Sequence, residues 1–157
     1  MIARIKMKPN TELVVATRFL AQYNHLNSTY YKVSDTQLNQ NNIADIIAID
    51  GITKKELKLQ VTVSDSGPWS LLSRGLFCRR GNANKMHGRA IREAINKKLH
   101  KYQGSSRGVI LLLDGWFSVT RETLDNVRQN DQVFLQKAGF EEIWFVGNRD
   151  DTIFKLI

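Results

Sequence analysis

The stretch ADIIAIDGITKKELKLQVTVSD, residues 44–65, decides how this chain is read. Two runs rich in β-branched residues, IADIIAI and ELKLQVTVS, flank Asp50-Gly51, a dipeptide that favours two-residue hairpin turns. Such a turn pairs residues whose numbers sum to 101, setting Ile49 against Ile52, Ile47 against Lys54, and Asp45 against Glu56. The two carboxylates then face each other at roughly 4.5–5.5 Å between Cβ atoms, where like charges repel. Strand alternation sends Glu56, Lys58 and Gln60 to one side of the sheet and Leu57, Leu59 and Val61 to the other. A longer loop slides the register so that Asp45 faces Gln60, and the aligned tripeptide becomes Lys58-Leu59-Gln60 or Gln60-Val61-Thr62.

A repulsive acid pair in a sheet needs a reason to persist, and a divalent cation supplies one. Mg²⁺ (or Mn²⁺) takes oxygen ligands, commonly one or two carboxylates with phosphate oxygens and water. Asp45 and Glu56 are therefore candidate metal ligands. Lys58 is placed to orient or help deprotonate a water, and Gln60 lies near in either register. Hydrolysis of a phosphodiester needs these parts: a Lewis acid, an activated water and a positive charge near the transition state.

Outward from the hairpin, Thr11 is an N-cap candidate for a helix over 11–24, in which Leu13, Val14, Thr17, Leu20 and Ala21 recur at helical spacing. Residues 27–42 are rich in Asn, Gln, Ser and Thr and read as loop or a weak polar strand. SDSGPWSLLSRGLFCRRGNANK, residues 64–85, reads as a long loop, with a short helix as an option within it, containing Gly67-Pro68, Gly75 and Gly81. A helix follows over 86–102, with Ile91, Ala94, Ile95, Leu99 and Tyr102 as its apolar stripe. GVILLLDG, 108–115, is a continuous apolar run of the kind a strand buried on both faces carries. Residues 119–139 then read as one helix closed by Gly139, and EEIWFVG and TIFKLI supply the last strands. The whole of 1–157 is expected to form one α/β domain with a mixed sheet.

Net charge is +8, and its distribution matters more than its size. Ten basic residues lie between Arg74 and Arg107 against one acid, Glu93, so that segment carries +9 and the remainder about −1. A polyanion is the natural partner, and nucleic acid fits because neutralising phosphates releases counterions. Arg74, Arg79, Arg80, Lys85, Arg89, Arg92 and Lys98 are the candidate nucleic-acid contacts. Trp69 and Phe77, among those arginines, suit stacking on exposed bases. Lys98 falls inside the apolar stripe, where it either snorkels to solvent or points at a phosphate; His87 has no acid or serine partner for a triad. The single cysteine, Cys78, forms no internal disulfide and reads as an idle thiol. No apolar run reaches the ~18 residues of a membrane span, and MIARIKMKPNTE lacks a secretory signal's apolar stretch, so the cytoplasm is the expected compartment.

Asp45, ten intervening residues, then Glu56-Leu57-Lys58, within this order of elements, resembles the PD-(D/E)XK nucleases. Ala44 stands where the family motif has proline. The resemblance implies a restriction endonuclease-like mixed β-sheet flanked by helices, with an αβββαβ-type core. It implies a metal-dependent DNA endonuclease in which Asp45 and Glu56 hold the metal and Lys58 acts on the water. Some such nucleases carry a further acid on the first helix, a role that falls to Glu12. The alternative is the same fold without catalysis, a DNA-binding or complex-assembly subunit. A homodimer or a larger complex is compatible with both.

Overall fold

The structure, a computed structural model, describes residues 9–34, 46–63, 80–102, 108–115, 121–147 and 152–157. Helix α1 (Pro9–Asn27) begins at a proline, whose missing N–H costs nothing in a first turn, so Thr11 lies inside the helix and does not cap it. Six strands follow: β1 (Tyr31–Val33), β2 (Ile46–Asp50), β3 (Glu56–Val63), β4 (Val109–Asp114), β5 (Glu142–Val146) and β6 (Ile153–Lys155). Their order across the sheet is their order in the chain. β1, β2 and β3 form an antiparallel meander, β3, β4 and β5 run parallel, and β6 returns antiparallel to β5. Helix α2 (Arg80–Tyr102) joins β3 to β4, while α3 (Arg121–Asn130) and α4 (Gln132–Lys137) join β4 to β5. Among the described residues this is a mixed α/β fold of six strands and four helices.

Both parallel crossovers step the same way across the sheet, so connections of one hand deliver their helices to one face. There Ile91 and Ile95 of α2, Leu124 and Val127 of α3 and Leu135 of α4 pack on Leu111, Leu113, Ile143 and Phe145. The opposite face is covered by α1, whose Ala16, Phe19 and Leu20 pack on Ala48, Leu59, Val61, Leu112 and Trp144. Phe19 meets Trp144 edge-on at 5.2 Å between ring centroids. β4 is buried along its whole length, as a strand sandwiched between helix layers must be.

Three readings of the sequence are corrected. The buried stripe of α1 runs through Val15, Ala16, Phe19 and Leu20, while Leu13 and Val14 stay exposed. Apolar residues occur all round this helix, so periodicity alone does not choose the face; the sheet selects the side carrying Phe19. Helix α2 starts at Arg80, taking in Gly81 and two asparagines whose helix propensity is weak and which the sequence reading places in a loop. The helix expected over 119–139 breaks at Asp131, whose backbone (φ −110°, ψ 16°) leaves helical geometry before α4 resumes. Gly139, at φ 79°, takes the left-handed position beyond α4, as its place in the sequence predicts.

Candidate functional site

The hairpin sets the geometry of the acid row. Asp50 closes β2 and its carboxylate accepts from the Ile52 amide at 3.0 Å and the Thr53 hydroxyl at 2.8 Å. Those bonds fold 51–54 into a single wide turn, in which the Lys54 amide donates to the Asp50 carbonyl and the Asp50 amide to that of Lys55. Lys54 adopts φ 61°, and the Gly51 amide donates across to the Tyr30 carbonyl, tying the turn to β1. The Ile52 amide and the Thr53 hydroxyl hold the Asp50 carboxyl below the usual carboxylate range.

The tight Asp50-Gly51 turn therefore does not form. Partners across β2 and β3 are Ile49 with Glu56, Ala48 with Leu57, Ile47 with Lys58, and Ile46 with Leu59. Their numbers sum to 105, the register of the longer loop. Glu56 consequently opposes an isoleucine, and the expected pairing of Asp45 with Glu56 is overturned at the Glu56 end; Asp45 itself lies outside the described residues. Across the hairpin Glu56 faces an apolar partner, so the described residues set no second carboxylate opposite it for the expected Mg²⁺ or Mn²⁺ arrangement. No three His, Cys, Asp or Glu side chains converge among the described residues.

The alternation of β3 is as expected. Gln60 pairs with Leu111 and Lys58 with Val109, which places the row Glu56, Lys58, Gln60 and Thr62 on the face covered by α2. Along it, Glu56 and Lys58 are exposed at the open end, whereas Gln60 and Thr62 are buried, at 1% and 8% exposure. Glu12 stands in the first turn of α1, on the helix that covers the other face. The structure thus separates Glu12 from Glu56 by the sheet.

Of the candidate nucleic-acid contacts, Arg74 and Arg79 lie outside the described residues, as do Trp69, Phe77 and Cys78. Arg80, Lys85 and His87 belong to α2, with side chains outside the description. Arg89 and Lys97 are exposed, and Lys98 is half-buried beside the apolar stripe. Arg89 donates through Nε to Glu93 at 3.1 Å. Arg92 donates through one Nη to both carboxylate oxygens of Asp131, at 3.1 and 3.0 Å, and so binds α2 to the break between α3 and α4.

A cleft of about 440 Å³ opens where α2 passes α3. One wall carries Arg89 and Arg92, the other Asn126 and Asn130, and the buried Gly88, Thr123 and Val127 form its floor. Gly88 faces Val127 where the two helices meet, and a methyl group there would reach the valine side chain at an ordinary contact distance of 3.6 Å. Sequence reading misses this cleft, since its walls lie more than thirty residues apart; the only signal is Asn126 and Asn130, four apart on one polar helix face.

No helix among the described residues is long and apolar enough to cross a membrane. Comparison of the chain with family models, with curated proteins and with solved structures finds no match.

Proposed function

We propose that this chain is a nucleic-acid-binding domain, with DNA as the expected ligand, built on a scaffold whose first six described elements run in the αβββαβ order of the restriction endonuclease-like fold. The observation that carries the reading is α2: a long helix at the centre of a segment with ten basic residues and one acid, with Arg89 and Lys97 turned away from the core. Phosphates are the chemistry that such a surface recognises without regard to sequence. The displaced hairpin register favours the non-catalytic member of the two alternatives, because Glu56 is left facing Ile49.

Metal-dependent endonuclease activity is the second reading, and the element order favours it. Both readings are separated by one pair of measurements. Binding to labelled DNA should be clear at low salt and fall steeply as salt rises, and plasmid incubated with Mg²⁺ should stay intact. Cleavage abolished by Asp45→Ala would install the second reading; absence of DNA binding even at low salt would remove both.

A further inference from the structure

We infer that the cleft between α2 and α3 is a subsite for one phosphodiester unit of a nucleic-acid strand, with the phosphate on Arg89 and Arg92 and the adjoining sugar or base edge on Asn126 and Asn130. This rests on the nucleic-acid reading above and gives it an address.

The two arginines already have carboxylate partners. Arg89 pairs through its Nε with Glu93 at the surface, and Arg92 is held through one Nη by the mostly buried Asp131. Each thus uses one part of a guanidinium that carries five N–H donors in a fixed fork. The side chains remain 78% and 44% exposed, so a phosphate can reach them from the cleft. Ordering a long side chain is a large part of the cost of binding with it, and at Arg92 the contact with Asp131 lowers that cost before the ligand arrives.

The opposite wall complements this chemistry. Asn126 and Asn130 each offer a carbonyl acceptor and an amide donor, the pair of groups that a base edge or a sugar hydroxyl presents in return. Asp131 is the one acid among the described residues lining the cleft, and Arg92 pairs with it. The floor of Gly88, Thr123 and Val127 is buried, and the volume of about 440 Å³ lies within the range of sites for small ligands.

The test is fluorescence anisotropy with short labelled single strands of DNA and of RNA across a salt series, using the whole chain. Arg89→Ala, at an exposed position, is expected to weaken binding about tenfold and to lower the slope of log K against log salt by about one contact's worth. The double variant Asn126→Ala with Asn130→Ala is expected to weaken binding severalfold at unchanged slope. Arg128→Ala removes one positive charge outside the cleft and should cost clearly less. The stronger of the two strands identifies the sugar the cleft accepts.

Wild-type binding that is untouched by Arg89→Ala and by the asparagine pair overturns the subsite while leaving the broader reading intact. An effect of Arg128→Ala as large as that of Arg89→Ala overturns it as well, since the contribution is then a general field. Wild-type chain that binds neither strand at low salt ends both.

Discussion

Arg92 of α2 grips both carboxylate oxygens of Asp131, the residue at which one expected helix becomes two. The pair spans 39 residues of sequence, and Asp131 is only 14% exposed, so it is more than a surface ion pair. Arg92→Ala leaves a mostly buried carboxylate without its partner and is expected to destabilise the fold by about 1–3 kcal/mol. Removing both partners should cost less than the sum of the single changes. Urea denaturation of the four chains in a double-mutant cycle reads this directly, and additive losses would mean that the contact contributes nothing.

Asp50 makes the hairpin depend on acid. Its carboxyl is held below the ordinary value by the donors it accepts from, so its folded pKa lies under that of the unfolded chain, near 3.9. Stability from this group is therefore fully present above the unfolded value and lost as pH falls through the folded one. Wild-type midpoints should drop below about pH 4, while Asp50→Asn, weaker at neutral pH, should lose less over the same interval. Parallel pH profiles for the two chains would contradict the assignment.

Gly115 follows β4 where the chain passes the ring of Phe145. A methyl group at that position would sit 2.0 Å from Cζ of Phe145, and the ring is 1% exposed with nowhere to swing. Gly115→Ala is expected to cost about 1–3 kcal/mol or more through overpacking. Shortening the neighbour, as Phe145→Leu, should recover part of that loss in the double variant. Thermal melts showing Gly115→Ala as stable as the parent would refute the close approach.

Glu56, exposed and opposite Ile49, carries no structural duty that its removal would expose. Glu56→Ala should shift stability by less than about 0.5 kcal/mol. Affinity for nucleic acid should hold or rise slightly, since a negative charge leaves the surface. Any Mg²⁺-dependent cleavage should survive this change; its loss would restore Glu56 to the acid pair that the tight turn implies.

The fold was legible where one physical signal dominated. β4 announced itself because a strand covered on both faces needs an unbroken apolar run, which Val109 to Leu113 supply. The stripe of α2 was equally plain, with Ile91 and Ile95 separating cleanly from Arg89 and Asn96. The hairpin register failed because two local signals compete at Asp50. Asp-Gly favours a two-residue turn, but a carboxylate that can accept from the residues two and three ahead favours a wider one, and Ile52 and Thr53 provide those donors. Four residues of slippage then decide which chemistry the strand carries. Arg89 was a candidate phosphate contact from charge alone, whereas Asn126 and Asn130 came to line the same cleft only when two helices packed.

The sheet's spatial order, identical to its order along the chain, has a bearing on biosynthesis. Each strand finds its template in the one that left the ribosome just before it, so no early strand must wait for a distant late one to begin its ladder. Shortening the gene from its 3′ end should accordingly peel strands from one margin in sequence, leaving the meander to dock against α1 unaided.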